Sequence, residues 1–316
     1  MIESCDVRGH LVQLDQAWLT ARQRMQYPAT VQHVLGEAFT AAALLAATIK
    51  YEGKLTFQIR GDGPVHLLVV QVAASGNLRG LARWKSVPET SGLAEMFGAN
   101  ARMTITIEAR AGAAPQQGIV ELAGESLADT LASYFHNSEQ LQTALYLAVG
   151  DNTAAGLLLQ RLPRSERLSA GGMDIKATPQ SDSEPGAEGD AAPGSDPTSD
   201  PIEGWKRATA LAETLQLEEL LTLDASTLLH RLYHEEKVRL FESVAVAYEC
   251  SCSRSRTDGL ILGLGQEEAE SICEEQGDVS ITCEFCAAEY RYDTIDIAAL
   301  FNPGTGELTN SNSTRH

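Results

Sequence analysis

Four cysteines near the C-terminus stand in two close pairs. One residue separates Cys250 from Cys252, two residues separate Cys283 from Cys286, and residues 253–282 lie between the pairs. Two such pairs are the usual layout of a tetrahedral metal site, because the intervening loop brings the two turns together. Zinc is the expected ion, since four thiolates fill its preferred coordination and leave no position for water. The spacing therefore predicts a closed structural site and not a hydrolytic one.

The same spacing permits redox chemistry. Thiols so close in the chain can form local disulfides when an oxidant reaches them. Oxidation of either pair removes two ligands, so zinc and the folding energy that it supplies, about 10–16 kcal/mol, would be lost together. The cysteine-rich module, roughly 55 residues long, is below the size that usually folds on an apolar core alone. A purely structural zinc ribbon fits the same residues, so the spacing leaves both readings open.

Two further cysteines have no assigned role. Cys273 lies inside the metal loop, where it is a bystander, a competing ligand or a partner in a mixed disulfide, and Cys5 lies near the N-terminus. The first residues, 1–6, lack the basic and apolar regions of a secretory signal. We therefore expect a cytoplasmic protein in which cysteines serve metal or redox chemistry and not structural disulfides.

Other motifs give weak indications of enzymatic chemistry. His230 and His234 have the helical spacing of a zinc-binding pair, but Arg231 stands where a metalloprotease needs glutamate. His234 followed by two glutamates, together with Cys283 and Cys286, imitates a deaminase pattern, but no proline precedes Cys283. The glycines of the metal loop lack the Lys-Ser/Thr of a phosphate loop and are predicted to form turns: Gly259, Gly263 and Gly265. We expect no catalytic activity.

The charge is unevenly distributed. The chain of 316 residues has a formal net charge of −19, and residues 178–316 carry 27 acidic and nine basic side chains. So acidic a chain repels phosphate backbones, which argues against a nucleic-acid partner. No apolar run approaches the roughly 18 residues of a membrane span, so a membrane partner is not expected either.

The positions of apolar residues predict the elements of the N-terminal half. A buried helix is predicted from Pro28 to Lys50, and a shorter one at Ser126–Phe135. Alternation and turn residues predict a meander of three strands followed by three further strands: Leu55–Arg60, Val65–Val72, Leu78–Trp84, Met103–Ala109, Gly118–Leu122 and Leu145–Val149. Strands with few intervening helices are typical of an α+β domain.

The C-terminal half begins with a change of composition. Residues 178–204 hold five prolines, seven acidic groups and one large aliphatic side chain, which predicts disorder. Amphipathic helices are predicted at Trp205–Leu223 and after Asp224, which would cap the second helix. The sequence thus predicts five regions: an α+β domain (1–177), an acidic linker (178–204), a helical region (205–243), a zinc-binding domain (244–303) and a flexible tail (304–316).

Residues 250–256, Cys-Ser-Cys-Ser-Arg-Ser-Arg, and Cys283-Glu284-Phe285-Cys286 with Tyr290–Asp293 resemble the C-terminal signature of the thirty-three-kilodalton heat-shock protein family. These proteins are redox-regulated chaperones that do not use ATP. Further similar segments lie at Tyr27-Pro28, Leu35–Ala38, Gly61–Pro64, Gly118–Val120, Tyr134-Phe135, Ser138–Gln140, Gln160–Pro163 and Leu228–Leu232.

The resemblance implies a mechanism. In the reduced state Cys250, Cys252, Cys283 and Cys286 would hold one zinc per chain, and helices 205–233 would cover apolar surface on the N-terminal domain. Oxidant and heat would form the disulfides Cys250–Cys252 and Cys283–Cys286 and release zinc. The uncovered surface would bind unfolding client proteins and favour a homodimer. Two other functions remain open: a constitutive zinc-ribbon adaptor for a protein partner, and a zinc hydrolase, which needs an open coordination site.

Overall fold

The computed structural model describes residues 1–24, 26–89, 92–109, 114–122, 124–162 and 201–302. Contacts within the chain divide it into two compact units, Met1–Glu249 and the region from Cys250 onward. The expected acidic linker lies outside the described residues as far as residue 200, and the expected tail 304–316 lies wholly outside them. Among the described residues, no helix is both long and apolar enough to cross a membrane.

The first unit combines strands and helices. Its elements in chain order are β1 (Val7–Leu14), α1 (Asp15–Arg24), α2 (Ala29–Thr48), β2 (Lys54–Arg60), β3 (Val65–Ala73), β4 (Asn77–Trp84), α3 (Leu93–Phe97), β5 (Arg102–Ile107), β6 (Gln116–Glu121), α4 (Leu127–Ser138), β7 (Thr143–Val149), β8 (Ala154–Arg161), α5 (Pro201–Ala212), α6 (Leu217–Thr222), α7 (Ala225–Tyr233) and β9 (Ala247–Tyr248). A short 3₁₀ turn, Glu3–Cys5, precedes them. The predicted α+β class is confirmed.

The strands form two sheets. Five antiparallel strands and the short parallel strand β9 form a sheet of order β6-β5-β2-β3-β4-β9. The other sheet has the antiparallel order β1-β8-β7. Side chains of β2 alternate between buried and partly exposed, as the sequence pattern predicts. Strand β8 is different, because it is the central strand of its sheet and is buried from Ala154 to Gln160.

Helix α2 contacts strands of both sheets and supplies much of the main core. It begins directly after Pro28, whose fixed φ suits a helix start, and its alanines pack closely. The β8 residue opposite the helix is Gly156, where a Cβ would lie 2.5 Å from Cγ2 of Thr40. The glycine therefore permits the close contact of α2 with this sheet. The predicted helix at 28–50 is confirmed, and in the structure it spans Ala29–Thr48.

Helices α5, α6 and α7 pack on the face of the β1-β8-β7 sheet that α2 does not cover. We call this the covered face; its buried sheet side chains are Val7, Ala148, Ala155, Leu157 and Leu159. The helices contribute Ala208, Ala212, Leu215, Leu220, Leu228, Leu232 and Tyr233 to the same cluster. In addition, the Gln13 side chain links the helices to the sheet, because its Nε2 donates to the carbonyl oxygens of Leu220 and Leu223 at 3.2 and 2.7 Å.

The helical region differs from the prediction in two respects. The structure has two helices, α5 and α6, where one was expected at 205–223, because Gln216 starts a new helix through a capping box with Glu219. Helix α5 also begins at Pro201, inside the range expected to be linker. The predicted cap at Asp224 is present, since its carboxylate accepts from the amides of Ser226 and Thr227 at 3.0 Å.

The second unit is small and has a core of its own. Its elements are α8 (Arg254–Leu264), α9 (Gln266–Gln276), β10 (Val279–Thr282), β11 (Glu289–Tyr292) and α10 (Thr294–Phe301). Strands β10 and β11 form an antiparallel hairpin. The buried cluster comprises Ile261, Ala269, Cys273, Val279, Tyr292 and Ile297. The prediction of turns at Gly259 and Gly263 is wrong, because both lie within α8.

Candidate metal centre

Two local structures hold the four cysteines. Cys250 and Cys252 lie just before α8, which begins at the N-cap Ser253 with its Oγ accepting from the Arg256 amide. Cys283 and Cys286 lie in the turn between β10 and β11. That turn is closed by two backbone hydrogen bonds of 2.8 Å, from the Cys283 amide to the Ala288 carbonyl and from the Ala287 amide to the Cys283 carbonyl.

The four Sγ atoms converge on one point. All of them lie within 4.8 Å of one another. The Sγ atoms of Cys250 and Cys283 are 3.6 Å apart, and those of Cys252 and Cys286 are 3.3 Å apart. Sulfurs at the corners of a tetrahedron with Zn–S bonds of about 2.3 Å are separated by about 3.8 Å. The donor set and its spacing therefore fit a zinc ion with four sulfur ligands.

The thiols differ in their electrostatic surroundings. Burial opposes ionisation of Cys252, but a hydrogen bond of 3.2 Å from the Tyr290 hydroxyl and contacts with the other thiols prevail and lower its pKa to about 7. Burial raises the pKa of Cys286 to about 12. The hydrogen bond to Cys252 is the main cause that raises the pKa of Tyr290 to about 12. A metal ion must displace protons from such a cluster, so its affinity will rise with pH.

The neighbouring arginines bind several groups of the second unit. Arg254 donates to the Arg291 carbonyl oxygen at 3.2 Å, forms an ion pair of 2.8 Å with Asp296 and lies 4.3 Å from the Tyr292 ring centroid. It thereby joins the start of α8 to β11 and α10. Arg256 donates to Ser251 Oγ at 2.8 Å. Cysteine spacing does not predict Tyr290 as a partner of Cys252; the signal that could have found it is its position in the strand after the second cysteine pair.

Cys273 and Cys5 lie apart from the cluster. Cys273 is buried in the small core of the second unit, with its Sγ 3.7 Å from the Tyr292 carbonyl oxygen. Cys5 is buried in the first unit, where Arg207 and Glu236 flank its Sγ at 3.5 Å. Burial raises the pKa of both thiols, which keeps them protonated and weakly reactive.

The two histidines with helical spacing lie on an exposed face of the first unit. His230 is in α7 and His234 follows its end, and their ring centroids are 6.0 Å apart. Both side chains are exposed. In the part of the chain that the structure describes, they belong to no cluster of three or more metal-ligating groups.

Comparisons with known proteins give a consistent result. Residues 1–293 match the family model described as "Hsp33 protein". A protein of Nitrosococcus oceani named "33 kDa chaperonin" is 40% identical over 301 residues, which cover 95% of this chain and 92% of that protein. A protein of Pseudomonas aeruginosa with the same name is 39% identical over 319 residues, covering 100% of this chain and 97% of the relative.

A solved structure has the same fold. The crystal structure of the 33 kDa chaperonin of Thermotoga maritima superposes with a TM-score of 0.71 and covers 96% of each chain. Its sequence identity to this chain is 21%.

Proposed function

This chain belongs to the Hsp33 protein family, and from that premise we propose that it is a redox-regulated, ATP-independent holdase chaperone. In this proposal the reduced protein is inactive and oxidation of its cysteines allows it to bind unfolding proteins. The observation that carries the proposal is the convergence of four thiols, all within 4.8 Å of one another, in a unit with a small core.

The resting state depends on the four cysteines. We propose that Cys250, Cys252, Cys283 and Cys286 hold one zinc per chain, because their sulfur spacing fits a tetrahedral site. When bound, zinc would keep the sulfurs as thiolates and join the β10–β11 turn to the segment before α8. Few large apolar side chains are buried in this unit, so the bonds from these sulfurs supply much of its stability.

Activation is an oxidation of two thiol pairs. Each disulfide forms as two cysteine thiolates give two electrons to one molecule of hydrogen peroxide, which takes up two protons from solvent and leaves as two waters. We propose the pairs Cys250–Cys252 and Cys283–Cys286. Sulfur contacts of 3.6 and 3.3 Å join the other combinations, Cys250 with Cys283 and Cys252 with Cys286. We propose the local pairs because one or two intervening residues keep their thiols close even after the second unit loosens. The other two pairs are far apart in sequence, so their thiols stay close only while the unit is folded.

The covered face is the proposed surface for clients. Helices α5, α6 and α7 have 12, 6 and 9 residues, lengths at which an isolated helix is marginal in water. They therefore depend on packing against Leu157, Leu159 and their neighbours. Release of these helices would expose a contiguous apolar surface, which binds unfolded chains without recognising a sequence. We propose that the same exposure favours a homodimer and that the protein works in the cytoplasm.

A second candidate function is a constitutive zinc-ribbon adaptor. One observation favours it: Leu260, Leu262 and Leu264 of α8 are exposed on the second unit. An adaptor would use this surface whatever the state of the thiols. In that case Cys250→Ser would lower the thermal stability of the second unit without producing any ability to hold unfolded clients.

The decisive experiment follows the aggregation of a thermally unfolding client by light scattering without ATP. The reduced, zinc-loaded protein should leave aggregation unchanged, and the protein treated with peroxide at mildly raised temperature should suppress it. A variant with Cys5 and Cys273 replaced by alanine keeps the four clustered cysteines and should respond in the same way, which excludes the two other thiols as the cause. Equal activity of the reduced and oxidised protein would contradict the proposal.

A further inference from the structure

The outer edge of β4 is closed by another part of the same chain. Strand β9 pairs with it in parallel, with Asn77 opposite Ala247 and Leu78 opposite Tyr248. The Ala247 amide donates to the Gly76 carbonyl at 3.3 Å, and the Glu249 amide donates to the Leu78 carbonyl at 2.9 Å. An extended segment of two paired residues thus occupies an edge that would otherwise offer its backbone groups to any strand.

The edge also has a slot for an aromatic ring. The Tyr248 ring stacks on Phe39, with ring centroids 6.5 Å apart and planes inclined by 19°. Phe39 reaches the edge because β4 has glycine at position 80, where a Cβ would lie 2.6 Å from the Phe39 ring. The Arg24 guanidinium also lies over the Tyr248 ring, 5.9 Å from its centroid. The slot is therefore formed by the Phe39 ring and the Arg24 guanidinium, which both contact the Tyr248 ring.

We propose that the β4 edge from Gly76 to Ala82 is a docking surface for extended segments of unfolded proteins, and that residues 246–249 occupy it as an intramolecular substitute. The occupant is a client segment that adds a strand to the sheet and places an aromatic side chain on Phe39. This inference rests on the proposed chaperone function and adds a second client surface, on the opposite side of α2 from the covered face.

The chemistry of the edge suits a chaperone. Strand addition uses main-chain hydrogen bonds, which every sequence can form, and the slot adds a preference for aromatic residues, which unfolded proteins expose. Towards the end of β4 a side chain occupies a backbone group of the edge, because the Tyr27 hydroxyl accepts a hydrogen bond of 3.2 Å from the Ala82 amide. Glu249 directly precedes Cys250 in the sequence, so the backbone that carries the first cysteine pair also carries β9.

Peptide binding to the reduced full chain tests the docking surface. The probe is a fluorescein-labelled peptide with the sequence of residues 244–249, Val-Ala-Val-Ala-Tyr-Glu, and the control peptide has alanine in place of tyrosine. In the wild-type chain β9 competes at an effective concentration of about millimolar, so the probe should bind weakly. The variant Tyr248→Ala should bind it at least about ten-fold more tightly in fluorescence anisotropy, because its own segment no longer fills the slot.

Two further comparisons locate the binding. The alanine peptide should bind Tyr248→Ala at least about ten-fold more weakly than the probe. Adding Arg24→Ala, an exposed position, should weaken the probe about three-fold, because the cation over the ring is lost. A probe with benzoylphenylalanine in place of tyrosine should cross-link to residues 15–24 or 77–84. Equal binding of both peptides, or cross-links confined to the covered face, would overturn the inference.

The same cross-linking on the peroxide-treated wild-type chain needs no variant and should label the same residues. An unfolded client should displace the probe; displacement only by a second copy of this chain would show that the edge serves dimers and would overturn the inference. Suppression of client aggregation by the oxidised protein without labelling of the β4 edge would leave the proposed function intact and reject this surface. Labelling without suppression would reject the proposed function and keep the edge as a peptide site.

Discussion

Arg207 of α5 and Glu236, just after α7, form an ion pair beside the buried thiol of Cys5. Only 7% of the Glu236 side chain is exposed, and its carboxylate also accepts from Ser4. The neighbouring backbone continues the contact, since the Glu3 amide donates to the Lys237 carbonyl and the Arg239 amide to the Met1 carbonyl, both at 2.8 Å. The N-terminal residues therefore hold both ends of the helical segment that lies on the covered face.

Replacing Glu236 should loosen this segment. Glu236→Gln removes the charge that faces Arg207 and should lower the free energy of unfolding of the first unit by about 1–2 kcal/mol, because the charge-assisted hydrogen bonds of a buried carboxylate become weaker neutral ones. Urea denaturation measures the change. The matched control is Glu235→Gln, at a carboxylate whose side chain is 87% exposed. Equal losses in the two variants would show that the Arg207–Glu236 pair contributes nothing particular.

The same carboxylate predicts a dependence on pH. The hydrogen bond from Arg207 lowers the pKa of Glu236 below its ordinary value. Its contribution to stability is therefore complete above the pKa of the unfolded chain, about 4.3, and is lost as the pH falls through the lower pKa of the folded protein. Wild-type stability should fall more steeply below about pH 4 than that of Glu236→Gln. Parallel curves for the two proteins would contradict this assignment.

A charge placed under the helices should activate the reduced protein. Leu228 is fully buried on the covered face, whereas Leu217, at the start of α6, is 56% exposed. Leu228→Asp would bury a carboxylate among apolar groups, so α7 should leave the sheet. Under reducing conditions this variant should bind a hydrophobic dye and suppress client aggregation, and Leu217→Asp should not. A folded Leu228→Asp protein that stays inactive would argue against the covered face as the client surface.

The two types of cysteine should respond differently to substitution. Cys273→Ala removes a buried thiol remote from the cluster, so it should retain one zinc per chain and lose about 1–2 kcal/mol of stability. Cys283→Ala should lose tightly bound zinc and unfold the second unit, since one of the four converging sulfurs is absent. Metal analysis with thermal unfolding distinguishes the variants. Loss of zinc from Cys273→Ala would place that thiol among the ligands.

Periodicity predicted the elements that have one buried and one exposed face. Strand β2 alternates, and glycine and proline mark the turn that follows it, so its position could be read from the sequence. Strand β8 was missed because it is buried on both faces and therefore shows no alternation. The break between α5 and α6 was missed because the leucine spacing continues through Leu215, whereas the local signal is the capping box at Gln216.

The cysteine spacing predicted the centre of the site but not its surroundings. Two pairs of cysteines indicate convergence without any knowledge of the intervening loop, and the four Sγ atoms do converge. Gly259 and Gly263 predict turns in this loop, whereas both lie within α8. A Cβ at either position would meet nothing within 4 Å, so no steric requirement for glycine exists there. These glycines weaken α8 by about 1 kcal/mol each relative to alanine, but packing of Ile261 and capping by Ser253 maintain it.

Simultaneous measurement of zinc release and thiol loss during peroxide treatment tests whether loss of the metal is coupled to disulfide formation. A chromogenic chelator reports zinc, and a thiol reagent with peptide mapping reports the state of each cysteine. We predict that two disulfides, Cys250–Cys252 and Cys283–Cys286, form for each zinc released, together with unfolding of the region after Glu249. Zinc that stays bound after all four of these thiols are oxidised, or that leaves while they are still reduced, would contradict the account.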